Sequence, residues 1–308
     1  MRIEEDGVGR EVGAGNALAT HAGGAIILVG TPIGNLGDVS VRALDTLSQA
    51  NIICCEDTRR TRKLLSHAGI TGKRLVALHE HNERERAGEI VGWALQGNSV
   101  AVVSDAGMPL LSDPGAFLVD LAYASNCYVS VVPGPDAATA ALVLSGLDTR
   151  RYCVEGFLPR KGKERADRLD TIARDFRTTV IFEAPGRVAS TLNDLLAICG
   201  KSRMVAVARE LTKLHEEVWR GDLGSAVDWV AGRVLVGEVV IVLAGVSTMA
   251  DVVEEGQVFK ALENLLSTGK GVSAAAAEVA EWMGVPKRKA YSMALEMLSL
   301  LEHPREHP

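Results

Sequence analysis

Among the side chains able to move a proton, Glu56, Asp57, His79, His81 and Glu83 stand out in one stretch of this sequence. They stand at or just past the ends of two apolar runs of strand length, IICC and LVAL. A carboxylate or neutral imidazole so placed can take a proton from a weakly acidic hydroxyl, and a nearby cation can stabilise the alkoxide that develops. Asp57, His81 and Glu83 are the candidates for that catalytic role. Asp57 also opens a helical pattern, where plain N-capping would account for it. His79 and His81 point to one side of an extended chain, but a metal needs more ligands than these, so no metal site is expected.

Three loops dense in Gly, Pro, Ser and Asp follow other apolar runs. They are GTPIGNLGD from Gly30, SDAGMP from Ser104 (continuing to Ser112-Asp113-Pro114-Gly115), and Pro133-Gly134-Pro135-Asp136. Glycine lets a ligand approach the backbone and proline stiffens the turn. Any one of them could be simple turn chemistry. Three behind strands of one sheet favour a shared ligand pocket, because ligands of α/β sheets bind beyond the carboxyl ends of the strands. A phosphate-binding G-x-x-x-x-G-K-[ST] and a G-x-S-x-G elbow are both missing, and the G-x-G at Gly7 and Gly9 has no strand before it. Two basic segments follow: Arg59, Arg60, Arg62 and Lys63, then Arg160, Lys161, Lys163, Arg165 and Arg168, the latter diluted by Glu164 and Asp167. Such runs are solvated helix faces or phosphate contacts.

The elements that must position these groups alternate. Strands are predicted at 25–30, 51–55, 74–78, 99–104 and 128–132, and helices at 41–50, 57–67, 83–95, 116–124 and 137–145. Asp38 or Ser40 is available to cap the first helix. A second block repeats the style, with strands at 152–157, 178–182, 204–208 and 238–243 and helices at 164–176, 188–198 and 223–231. The alternation predicts a parallel or mostly parallel sheet covered by helices. The expected division is a flexible tail at 1–24, α/β domains at 25–148 and 149–247, and a helical segment at 248–308. The boundary between the α/β domains is expected at 146–151. In the last segment, helices at 273–283 and 288–300 flank Gly284-Val285-Pro286. That pattern resembles a helix-turn-helix but equally suits an ordinary bundle.

The chain has 308 residues, 47% of them hydrophobic, and a net charge of −6 from 33 basic and 39 acidic residues. That composition is globular. It excludes capture of nucleic acid by bulk charge, though not by a local basic patch. No apolar run has membrane-spanning length, and the first 24 residues lack a signal peptide's apolar centre, so a cytoplasmic protein is expected. The five cysteines form no C-x-x-C pair and read as buried thiols.

One resemblance runs through these segments. LVGTPIGNLGDVSVRAL (28–44), CEDTRRTRKLL (55–65), LHEHNE (78–83), VSDAGMPLLSDPG (103–115), VPGPDAATAAL (132–142), EGFLPRKGKER (155–165), FEAPGR (182–187) and ARELTKLHEE (208–217) keep an order and spacing similar to the bacterial 16S rRNA (cytidine-2′-O)-methyltransferases. Those enzymes belong to the tetrapyrrole-methylase superfamily. The Gly-rich loops alone resemble only the superfamily; EDTRRTRK and LHEHNE resemble the rRNA branch.

The resemblance implies two α/β domains of the tetrapyrrole-methylase type with S-adenosyl-L-methionine in the cleft between them. It also implies a homodimer that methylates the ribose 2′-oxygen of a cytidine in the decoding region of the small ribosomal subunit. By motif, the cofactor-binding residues are Pro32, Ser104, Asp105, Ala106, Gly107, Asp136, Ala137 and Glu183. With the resemblance, Arg59, Arg60, Arg62, Lys63, Arg160, Lys161 and Lys163 read as contacts to the 16S rRNA backbone. Arg187, Arg209, Glu210 and Lys213 are second-tier candidates. A methylase of an acidic corrin or porphyrin precursor remains open, as does a non-catalytic regulator that binds nucleic acid through the C-terminal helices.

Overall fold

The computed structural model describes residues 24–111, 115–246, 255–283, 285 and 287–302. The expected tail through Gly23, the loop residues Ser112, Asp113 and Pro114, and Gly284 and Pro286 lie outside the described residues.

Five strands build the first sheet: β1 (Ala25–Val29), β2 (Ile52–Cys55), β3 (Arg74–Ala77), β4 (Ser99–Val103) and β5 (Val129–Val132), in the order β3-β2-β4-β1-β5. Every pairing is parallel. Between them run α1 (Val41–Gln49), α2 (Thr58–His67), α3 (Glu83–Leu95) and α4 (Ala116–Ala124), and α5 (Ala137–Ser145) follows β5. Alternate strand residues feed opposite faces. Ile27, Ile53 and Ala101 pack with Leu47, Leu64 and Leu65 of α1 and α2. Ile26, Ile52 and Val100 pack with Ile90, Ala94 and Leu118 of α3 and α4. Burial on both faces explains the continuous apolar runs, and each fully buried Ile or Leu contributes about 1.5–3 kcal/mol. Helix starts follow their caps. Ser40 Oγ, not Asp38, accepts from Ala43 N at α1, Asp57 caps α2, and Asp136 caps α5 through Ala138 N and Thr139 N.

The second sheet departs from the expected parallel style. It comprises β6 (Tyr152–Phe157), β7 (Thr178–Glu183), β8 (Met204–Arg209), β9 (Glu217–Asp222) and β10 (Val239–Leu243), in the order β6-β7-β10-β8-β9. Only β6 and β7 pair in parallel; β10 runs antiparallel to both neighbours, and β8 and β9 pair antiparallel. A short turn joins β8 to β9, which forces a hairpin, since a parallel pair needs a longer crossover. The strand β9 was not expected at all. Its sequence, EVWRGD, is an edge strand with no fully buried residue, so it lacks the apolar run that marks the others. The helices of this block are α6 (Lys163–Arg174), α7 (Val188–Cys199) and α8 (Leu223–Val230). Helix α5 of the first block packs on the second sheet, with Ala138, Ala141 and Leu142 against Val180, Ala206 and Val242.

Both sheets belong to one compact unit, made of the described residues up to Asp170 together with Thr178–Ala244. The other unit is made of Thr171–Arg177 and the described residues from Gly245 on. It carries α9 (Glu255–Ser267), α10 (Val272–Met283) and α11 (Lys287–Glu302), which close around Leu262, Ala276, Val279, Val285 and Ala294. No helix among the described residues is long and apolar enough to cross a membrane. None of the five cysteines is in a disulfide. Burial pushes the Cys54 thiol up to about 12.

Candidate active site

The three Gly/Pro loops interlock at the carboxyl end of the first sheet. Thr31 and Gly107 exchange backbone hydrogen bonds, with Thr31 N donating to Gly107 O at 2.8 Å and Gly107 N to Thr31 O at 3.1 Å. Gly30 and Gly134 pack backbone to backbone, and a Cβ on Gly30 would lie 2.6 Å from Gly134 Cα. Gly107 holds φ at +79°, with Ile33 beside it. A side chain at any of these positions would strain or separate the loops. Glycine therefore serves here to bring three loops into contact.

A cleft of about 430 Å³ opens beside them, within the range of small-ligand pockets. Of the expected cofactor residues, Asp105, Ala106, Gly107, Asp136, Ala137 and Glu183 line it. Pro32 and Ser104 do not. They line a smaller pocket of about 100 Å³ that shares Arg60 and Asp105 with the cleft. The second sheet supplies wall residues that the sequence reading missed, chiefly Phe157 and Glu238. Phe157 and Phe182 stood inside quoted motifs without being singled out, but Glu238 only begins an apolar run and carries no motif of its own. Glu183 is fully buried: its carboxylate accepts from Ala184 N at 2.8 Å and Thr191 Oγ1 at 2.6 Å and pairs with Arg187 Nε at 3.2 Å.

The proton-transfer candidates separate in space. Asp57 is clamped by Arg59, whose Nε and Nη2 donate to its carboxylate while Arg59 N donates to Oδ1 at 2.8 Å. These bonds hold the Asp57 carboxyl well below the usual carboxylate range. Glu83 Oε1 accepts from Leu118 N at 3.1 Å, in the first turn of α4, whose N-cap residue Gly115 has no side chain to do so. His81 is exposed, its ring 6.1 Å from that of His79. None of the three lines the cleft. Glu56, one residue before Asp57, does line it. Among the described residues no cluster of three or more His, Cys, Asp or Glu could hold a metal.

The two basic segments are also sorted. Arg60 lines the cleft and pairs with Asp105 at 3.5 Å, and Asp105 Oδ1 accepts from Asp57 N at 2.9 Å. Arg62 and Lys63 are exposed. In the other segment Arg165 is buried, donating to Asp194 Oδ2, Thr191 Oγ1 and Pro159 O, and Arg168 pairs with Glu155 at 2.6 Å. Arg160, Lys161 and Lys163 are exposed. Of the second-tier residues, Arg209 pairs with Glu217, and Lys213 with Glu210 and Glu238.

Residues 25–227 match the family described as Tetrapyrrole (Corrin/Porphyrin) Methylases. The "Ribosomal RNA small subunit methyltransferase I" of Synechocystis sp. is 41% identical over 276 residues, 89% of this chain and 98% of that protein. The protein of the same name from Xylella fastidiosa is 44% identical over 272 residues, 87% of this chain and 98% of that one. The chain belongs to this methyltransferase family. A solved structure described as the methyltransferase CobJ shares the fold at 20% identity, covering 73% of this chain and 95% of that one with a TM-score of 0.56.

S-adenosyl-L-methionine is the cofactor of this methyltransferase, and the cleft fits it. The molecule joins adenine, whose flat aromatic faces suit apolar side chains, to cationic sulfonium and ammonium groups. The cleft joins the apolar side chains of Ile33, Met108, Phe157 and Phe182 to the carboxylates of Asp136, Glu183 and Glu238, and the bare Gly107 backbone leaves room for close approach.

Proposed function

We propose that this methyltransferase methylates the ribose 2′-oxygen of a cytidine in the decoding region of 16S rRNA. It would act on the small ribosomal subunit, in the cytoplasm, as a homodimer. The observation that carries the reading is the junction at Arg60: one residue both lines the ligand cleft and belongs to the basic face of α2, with Arg62 and Lys63 exposed beyond it. A phosphate backbone held along that face lies next to the place where a methyl donor would sit. The names of the relatives, ribosomal RNA small subunit methyltransferase I, support an rRNA substrate. The motifs EDTRRTRK and LHEHNE support the cytidine 2′-oxygen as the acceptor.

Bound in the cleft, the cofactor supplies an electrophilic methyl carbon for an in-line displacement. The chain must then hold the acceptor in line, keep water out and cope with the hydroxyl proton. On this reading Asp105, Ala106, Gly107, Asp136, Ala137 and Glu183 hold the cofactor. Pro32 and Ser104 hold the rim it shares with the smaller pocket. Arg59, Arg60, Arg62, Lys63, Arg160, Lys161 and Lys163 receive rRNA phosphates, contacts that position the substrate without reading its sequence.

The test is incubation with radiolabelled S-adenosylmethionine and small ribosomal subunits lacking the modification. Nuclease digestion is expected to release label as 2′-O-methylcytidine from one decoding-region fragment. Label in a base, in another fragment, or only in a supplied corrin precursor would overturn the reading.

A further inference from the structure

We infer that Glu56 is the general base of the methyl transfer, accepting the proton of the attacking ribose hydroxyl; this rests on the 2′-O-methylation reading above. Among the described residues, five carboxylates line the cleft: Glu56, Asp105, Asp136, Glu183 and Glu238. Four have other partners. Asp105 receives Asp57 N and pairs with Arg60. Asp136 caps α5 through two backbone N–H groups. Glu183 is closed by Ala184 N, Thr191 and Arg187. Glu238 pairs with Lys213. Among the described residues, the Glu56 carboxylate makes no hydrogen bond or ion pair, so both its oxygens are open to a ligand in the cleft. Among the described residues no histidine lines the cleft.

The neighbours explain why this carboxylate suits the task. Glu56 directly follows β2 at the cleft, with Asp105 of the loop after β4, Arg60 of α2, His79 after β3 and the adjacent Asp57 as its charged neighbours. The Glu56 side chain is exposed, yet partial desolvation by the protein around it is the largest influence and pushes its proton affinity up; Asp105 and Asp57 add to that, while Arg60 and His79 oppose it. A carboxylate raised by such neighbours holds an abstracted proton better than one without them, and base catalysis strengthens as the base's pKa approaches working pH. Asp57, one residue on, has gone the opposite way, because the Arg59 clamp stabilises its charged form.

In the step, the O–H bond breaks and its proton passes to a Glu56 carboxylate oxygen as the oxygen's electron pair bonds the methyl carbon. The electron pair of the broken carbon–sulfur bond stays on sulfur, which becomes a neutral thioether. No further reactant is needed. Arg60, at the same wall, supplies positive charge for the oxygen as negative charge develops on it.

Single-turnover methylation of small subunits across pH tests the assignment with E56Q and E56D. Wild-type rates should rise with pH through the raised Glu56 titration and then level. E56Q should be slower by about 10²–10⁴-fold and lose that acidic limb. E56D should be slow but keep the limb. Calorimetric affinity for S-adenosylhomocysteine and filter-measured affinity for subunits should both stay at the wild-type value in E56Q. An active wild type with an equally fast E56Q, or an E56Q that keeps the acidic limb, overturns the assignment alone. Loss of either affinity in E56Q makes Glu56 a binding group and overturns it too. A wild type that labels no ribose oxygen overturns the functional reading, and this assignment with it.

Discussion

The basic segment on α2 and the one that begins at Arg160 look alike in the sequence, but the fold uses them differently. On α2 the two arginines of the first turn oppose the helix dipole, and each is offset by a carboxylate, Arg59 by Asp57 and Arg60 by Asp105. Those pairs are solvent-facing, and beyond them Arg62 and Lys63 stay exposed. In the second segment the fold draws one arginine inward. Arg165, with a side chain only 10% exposed, ties α6 to α7 through Asp194 and Thr191 and holds the carbonyl of Pro159. Arg187 reaches Leu158 O at 2.9 Å from the other side. The exposed Arg160, Lys161 and Lys163 thus sit just beyond an anchored backbone. A charge run in sequence can therefore hold a buried anchor, as at Arg165, beside exposed cations, as at Arg160, Lys161 and Lys163, and burial decides which residue is which.

Breaking the anchor should have the largest effect. Arg165→Met leaves Asp194, Thr191 and Pro159 O without their donor and should destabilise the fold by about 2–3 kcal/mol. Urea denaturation measures it; an unchanged midpoint with weakened subunit binding would make Arg165 an RNA contact and erase the distinction. Next, Arg62→Glu combined with Lys63→Glu should cut small-subunit affinity about tenfold or more and flatten its salt dependence by about one power per charge. Filter binding across salt concentrations measures that. Stability should stay within about 0.5 kcal/mol, and a large stability loss would show that this face is an anchor as well. The smallest effect is expected from Asp57→Asn, which weakens the clamp on Arg59. The folded Asp57 titrates below its ordinary 3.8. Its stabilisation is thus complete above that value and lost as pH falls toward the depressed one. Acid melting curves should be shallower in the Asn variant, and parallel curves would mean that the clamp does not persist in solution.

Much of the fold was legible from local patterns. The strands of the parallel sheet are buried on both faces, so IILV and VAVV stand out without any knowledge of the partner strands. Helix starts were legible because Ser40, Asp57 and Asp136 are good caps by their own chemistry. The antiparallel half was harder to read. An edge strand such as β9 needs no apolar run, and strand direction depends on which neighbour a segment meets. In the site, the Gly and Pro loops were legible as ligand loops. Glu238 was not, because its place at the cleft comes from the second sheet packing beside the first.

The choice between Glu56 and Asp57 shows the same division most sharply. Residue type and spacing determined that carboxylates follow β2, that a helix starts there, and that a basic face follows. These are properties of a short chain segment, set by backbone geometry and side-chain chemistry over a few residues. Asp57 is occupied locally, by its own helix and Arg59, but that Glu56 lines the cleft was decided only by the tertiary structure. Glu56 follows β2 and lines a cleft walled partly by residues of β7, while Asp57 caps its own helix. Long-range packing sets burial and charge neighbours, and those determine what a carboxylate can do.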